Sequence, residues 1–449
     1  MNTLNDAIAN AKQQKVIDTL TALKTSDFAH GRWLSGTNHY KLDAVGRLRT
    51  VPRGTLVNPQ SADLTQYISI STLIHNLDGW AYLGKAIGSY LDGNESGALH
   101  LAYYSELRAA LSFLACQGIG IFDSEHYYID NAGQCQKFNK DGNFGNRAGN
   151  GTHQITWNIL EEWAKKSTNV EYFTKNIIVK GISLHDWLSE FLGNPASIAM
   201  AATGIVQKIL STWCVDLQEA GKDRDVRNFC SYRPQKIMPP TNNAFHAKLK
   251  DITELTKLLE PGGVTEKYRL LDAHILKSVL VLAYNQVLGA PGDYDVRISR
   301  TCANLVVTDP ELKTLLLNEN SFHKVFIDGK KPAINTNDQV FSFHVICRAL
   351  LTSRIATMGC SHLVKDARIS KVDLEFWISE IMETNGLGEF AAISNMADLW
   401  IDKQEAIEEI NKLFMRSPNV GILEANLYNA FDLWQLRKIQ SSYFWGVGY

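Results

Sequence analysis

The sequence predicts a mainly α fold, a helical bundle followed by a second helical domain, with small β-hairpin insertions. Three observations carry that expectation. Apolar residues recur at three- and four-residue spacing over long stretches, the pattern of helices with one buried face. Turn-forming Gly, Asn and Pro gather into a few short segments instead of recurring every ten residues as in an all-β chain. The hydrophobic fraction is 45% and the charged fraction 20%, which suits a folded globular chain over a disordered one.

At 449 residues the chain exceeds the size at which one core usually keeps growing. The expected division is 1–60, an N-terminal helix and irregular basic segment; 61–235, the helical bundle with a Gly/Asn-rich insertion; and 241–449, a mostly helical C-terminal domain. The proline-bearing stretch PQKIMPP marks the linker between the last two.

The first twenty residues read as a polar amphipathic helix without the apolar run of a secretory signal. No stretch approaches the roughly 18 unbroken apolar residues of a membrane span. A cytoplasmic protein that avoids membranes is the expectation. After an irregular basic segment, helices are expected near 64–91 and 98–117. The interruption that follows holds a hairpin, HYYID and QCQKF around an Asn-Ala-Gly turn, with GIGIF read as loop. Helices resume near Thr152, with Thr152 as N-cap, and near Ser183 and Pro195, ending around DRDVRNFCSYRP. A second hairpin is expected at VFIDGKKPAIN, and the aromatic C-terminus FDLWQLRKIQSSYFWGVGY is expected to dock on the chain's own body in preference to a second chain.

Composition and spacing exclude several chemistries. Seven cysteines are scattered without a CxxC, so neither a zinc ribbon nor a disulfide framework is indicated. A formal charge of −2 gives no global footprint for nucleic acid. There is no GxxxxGK[ST], no GxGxxG between strand and helix, and no HExxH. No cofactor or metal is expected. A Mg²⁺-dependent DNA endonuclease has only Asp293 with Asp295, and Asp328 with Lys330, as candidates, and turn chemistry explains both.

Two helices carry polar residues in apolar company. Glu106 is flanked by Ala102, Tyr103, Ala109, Ala110 and Phe113 at its helical neighbour positions. A carboxylate there needs an Arg or His partner from another helix. The partner makes either a structural ion pair or part of a site. In the preceding helix Ser71, His75, Asp78 and Tyr82 form a polar line, in which His75 and Asp78 can pair. Two segments offer arginines: Arg147-Ala-Gly-Asn-Gly-Thr-His153, and Asp223-Arg-Asp-Val-Arg227-Asn228.

The order of these elements, SISTLIHNLDGWAYLGKAI, then HLAYYSELRAALSFLACQGIGIF, then a Thr-His helix start and an Arg-Asn element, resembles HEPN-domain proteins, including the YaaC-like branch with paired tyrosines. The likeness covers about 170 residues, roughly 60–235. It implies a helical bundle and metal-independent RNA cleavage, typically across a dimer, in phage defence or stress response. In that family an arginine, usually followed by a polar residue, precedes a histidine by four to six positions. Arg147 to His153 satisfies the spacing, but Ala148 stands where a polar residue is usual. Arg227-Asn228 matches the start, but Tyr232 stands at the histidine position. The resemblance thus implies Glu106, Arg147, His153 and Arg227 as site residues, with RNA and a homodimer or protein partner. The alternative is a non-catalytic helical scaffold or interaction subunit of a larger complex.

Overall fold

The computed structural model describes residues 2–50, 60–144, 149–193, 217–232, 244–262, 266–288, 292–335 and 339–448. The fold is mainly helical, as expected. Its centre is a pair of long helices, Ser61–Leu91 and Glu95–Cys116. Only three residues join them, so they run back along each other. Their seam is built from small residues. The Ser105 hydroxyl donates to the Gly79 carbonyl and the Ser112 hydroxyl to the Thr72 carbonyl, both at 2.7 Å. A side chain at Gly79 would press on the Ser105 and Ala109 backbone at 3.3 Å, so glycine sets this approach.

A third long helix, Ser342–Asp366, lies against both. Trp80 Nε1 donates to Thr357 Oγ1 at 2.9 Å, and Cys360 Sγ to the Thr72 carbonyl at 3.3 Å. The segments divided in the sequence at 235–241 therefore share one core. Buried polar pairs tie it together. Lys248 Nζ lies 2.6 Å from Glu95 and donates to the Tyr90 carbonyl. Arg354 grips Asp272 with two nitrogens at 2.7 and 2.9 Å. The linker PQKIMPP and the helix start near Pro195 lie outside the described residues.

A four-stranded sheet, ordered Asn2–Thr3, Cys135–Asn139, Glu125–Ile129, Ile119–Phe122, covers one end of the long pair. The expected hairpin is there, with Tyr128 opposite Gln136 and Ile129 opposite Cys135. GIGIF, expected as loop, instead supplies the strand Ile119–Phe122, which pairs with Glu125–Ile129 at the edge of the sheet. All four residues from Ile119 to Phe122 are buried, so the alternation that marks a half-exposed strand is missing.

Other expectations are corrected. The N-terminal helix is two, Leu4–Asn10 and Gln13–Ser26, the first opened by a Thr3/Asp6 capping box. VFIDGKKPAIN is no hairpin: Lys324–Asp328 is helical, and one bridge, Ile334 to Val340, follows. Thr152 is the first helical residue and not the cap; its hydroxyl donates to the Asp123 carbonyl at 3.1 Å. The C-terminal Tyr443, Phe444 and Trp445 are buried in the chain's own core. Gly446 is required there, because any side chain would meet the Tyr268 hydroxyl, which donates to the Ser442 carbonyl. Among the described residues no helix is long and apolar enough to cross a membrane.

Candidate functional site

Glu106 finds its partner in the third long helix. Arg348 Nε lies 3.5 Å from Glu106 Oε1 and 3.0 Å from Asp223 Oδ2, with Nη2 2.5 Å from the same Asp223 oxygen. Arg348 Nη1 donates to the carbonyls of Gly329 and Lys331 at 3.1 and 2.7 Å. Exposures of 1% for Arg348, 2% for Glu106 and 0% for Asp223 enclose the cluster entirely. Burial, then the Asp223 carboxylate, push the Glu106 carboxyl well above its usual range, against the pull of Arg348. Two carboxylates sharing one guanidinium cannot both ionise cheaply. Glu106 thus touches no solvent and acts only through what it holds in place.

What it holds is one turn away on each helix. Tyr103, three residues before Glu106, and Arg227, four after Asp223, meet across the two helices. The Arg227 guanidinium lies over the Tyr103 ring at 5.2 Å and the Tyr104 ring at 5.5 Å. His153 arrives from a third direction: its Nδ1 lies 2.8 Å from the Tyr103 hydroxyl, its ring stacked on Tyr103 at 5.6 Å. The start of its helix is anchored to the sheet. His126 Nε2 bonds the Asn150 carbonyl at 2.9 Å, and the Asn150 side chain accepts from the Lys140 amide at 2.7 Å.

Unlike the triad below, this layer is half-open, with His153, Arg227, Tyr104 and His100 all partly exposed. Burial lowers the His153 pKa to about 4, helped by Arg227 and Arg224, so the imidazole is neutral at pH 7. Burial also raises the Tyr103 phenol, which keeps its proton. Among the described residues, Arg227 Nε is buried without a hydrogen-bond partner. Aromatic surface continues outward: Tyr82 stacks on Tyr104 at 5.6 Å, and Lys85 sits 5.7 Å over Tyr82. The layer therefore offers one fixed guanidinium, one neutral imidazole and stacked aromatic faces, groups suited to a phosphate and to flat bases.

Of the four residues singled out in the sequence, the structure brings His153 and Arg227 to the same pair of tyrosines. It places Glu106 a turn below them, out of reach of any substrate. Arg147 lies outside the described residues. Tyr103, Tyr104, Asp223 and Arg348 were not among those four. The paired tyrosines and the Asp223/Arg227 spacing were visible signals, but nothing near Glu106 in sequence points to Arg348.

The polar line of the first long helix is tied to the second. Arg108 Nη1 lies 3.0 Å from His75 Nδ1 and 3.7 Å from Asp78, and Tyr82 ends the line at the tyrosine stack. The endonuclease candidates are engaged elsewhere. Asp328 is flanked by Lys324 and Lys331, and Asp293 pairs with Arg297. Among the described residues no group of three or more His, Cys, Asp or Glu is placed to hold a metal ion. Compared with known proteins, the chain matches no family model, no curated protein and no solved structure.

Proposed function

We propose that this chain is a HEPN-like, metal-independent, RNA-directed nuclease whose working pair is Arg227 and His153. The observation that supports this reading most is their convergence on Tyr103 and Tyr104. The arginine of one family-like segment and the histidine of the other thus serve one site, which accounts for neither segment matching the family pattern in full. A second RNA-cleaving copy is not needed for the pair to form, although a homodimer remains part of the proposal.

In this reading Arg227 holds the phosphoryl oxygens of the scissile diester. With its Nδ1–H donated to the Tyr103 hydroxyl oxygen, the neutral imidazole of His153 presents the lone pair of Nε2 to the adjacent 2′-hydroxyl. It takes that proton as the oxygen attacks phosphorus and the bond from phosphorus to the 5′-oxygen breaks; the imidazolium then returns the proton, through water, to the leaving 5′-oxygen. The products are a 2′,3′-cyclic phosphate and a 5′-hydroxyl. A pKa near 4 makes the free imidazole a weak base, but a bound phosphate raises it, because a nearby anion favours the charged form. Substrate binding thereby strengthens the base it needs.

The test is incubation of the purified full chain with single-stranded RNA in excess chelator. Cleavage leaving 2′,3′-cyclic ends supports the reading; cleavage that the chelator stops, or none at all, overturns it. A non-catalytic RNA-binding subunit is the second reading, favoured by the low His153 pKa and the Tyr82–Tyr104–Lys85 strip. It predicts RNA binding without cleavage.

A further inference from the structure

We propose that a second cleft, away from the tyrosine layer in sequence and independent of the nuclease reading, binds a small hydrophobic α-amino acid as its zwitterion. Three elements form it: the turn between Ile178–Val179 and Ile182–Ser183, the first turns of helix Arg269–Ala283, and helix Pro310–Leu317. Its volume is 150 Å³, the size of a cavity that accepts a benzene ring.

The cleft is apolar below and charged of both signs above. Leu270, Ala273, Leu312 and Leu315 line the floor. At the rim, Lys180 is committed: its Nζ lies 2.9 Å from Asp309 and its amide donates to Glu266 Oε1. Arg269 is committed on one edge only. Nε and Nη2 hold Glu260 at 3.0 and 2.6 Å, whereas Nη1 is 3.6 Å from the Glu311 carboxylate, which is 80% exposed. A ligand carboxylate would take Nη1 in place of its loose pairing with Glu311. Glu311, exposed and only loosely paired with Arg269, can turn to an ammonium group; Glu266, held by the Lys180 amide and 3.9 Å from Lys180 Nζ, is buried enough that desolvation raises its pKa, and a second cation beside it relieves that cost. A ligand carrying only one charge leaves one side of the rim unanswered. An apolar side chain of ring or isobutyl size fills the floor.

The test is calorimetric titration of the full chain with L-leucine and L-phenylalanine, alongside isoamylamine and 4-methylpentanoate, which are leucine without its carboxylate and without its ammonium. Saturable amino-acid binding is expected, with each single-charge analogue weaker by about tenfold, as for a lost charged hydrogen bond. Ala273→Phe, which fills the floor, should abolish binding; should it fail to fold, Ala273→Leu serves, and Arg269→Met should weaken binding by about tenfold. No binding by the unaltered chain at about 10 mM, a level that reveals millimolar complexes, overturns the proposal. So does isoamylamine or 4-methylpentanoate binding as tightly as leucine, or binding unchanged in a folded Ala273 variant.

Discussion

The Tyr103 hydroxyl and His153 Nδ1 lie 2.8 Å apart, with their rings stacked. This contact fixes which imidazole nitrogen remains for other work, and it couples His153 to the helix that carries Glu106. Tyr103→Phe keeps the ring, and with it the seat of Arg227, while deleting the contact. The variant should lose about 1 kcal/mol of stability, bind RNA as before, and cleave about tenfold more slowly, since an unheld imidazole samples unproductive orientations. Parallel binding and single-turnover assays separate the two effects.

The enclosed triad gives a contrast in stability. Arg348→Met leaves two buried carboxylates without their cation and should cost about 3–5 kcal/mol. Glu106→Gln should cost far less. Burial and the Asp223 carboxylate already push its carboxyl well above the usual range and so favour the neutral form, which an amide imitates. Urea midpoints of the two variants check the order.

Acid should destabilise the fold in a defined window. Burial lowers both His126 and His153 from 6.5 to about 4. Between those values the unfolded chain binds protons that the folded chain refuses, so stability rises with pH there. Both contributions are therefore fully present above pH 6.5 and are lost as pH falls toward 4. Denaturation midpoints should drop across that window, and less steeply in His126→Gln. An identical slope in that variant contradicts the assignment of part of the drop to His126.

Base stacking should be separable from catalysis. Tyr104→Leu removes a ring that touches Tyr82, His100, His153 and Arg227. The loss of single-stranded RNA affinity should be about 1–3 kcal/mol, the usual worth of one stacked base. Fluorescence anisotropy at fixed salt reads it, because ionic contacts would otherwise mask the change.

How much of this was legible beforehand follows from the range of each interaction. The two long helices declare themselves through local periodicity, and the apolar surroundings of Glu106 correctly call for a cationic partner. That partner, Arg348, is set by packing between helices distant in the chain, for which no local spacing rule exists. The Ile119–Phe122 strand was missed because burial on both faces erases the alternation that identifies strands. The Lys324–Asp328 helix was missed because Gly329 and Pro332 suggest a turn; it is only five residues long, and Arg348 holds the carbonyls that follow it. His153 and Arg227 were both singled out, but as rivals in two linear motifs. Their meeting at Tyr103 and Tyr104 is a tertiary fact.

The measurement that bears most directly on the proposed function compares His153→Ala and Arg227→Ala with the unaltered chain. Single-stranded RNA cleavage is followed in chelator, together with each protein's melting temperature. Both side chains are partly exposed, so melting should shift by only a few degrees. RNA cleavage should vanish in His153→Ala and fall at least a hundredfold in Arg227→Ala, about the share that one positioned acid–base or charge-stabilising group supplies. Cleavage persisting in a folded His153→Ala, or absent from the unaltered chain, contradicts the account.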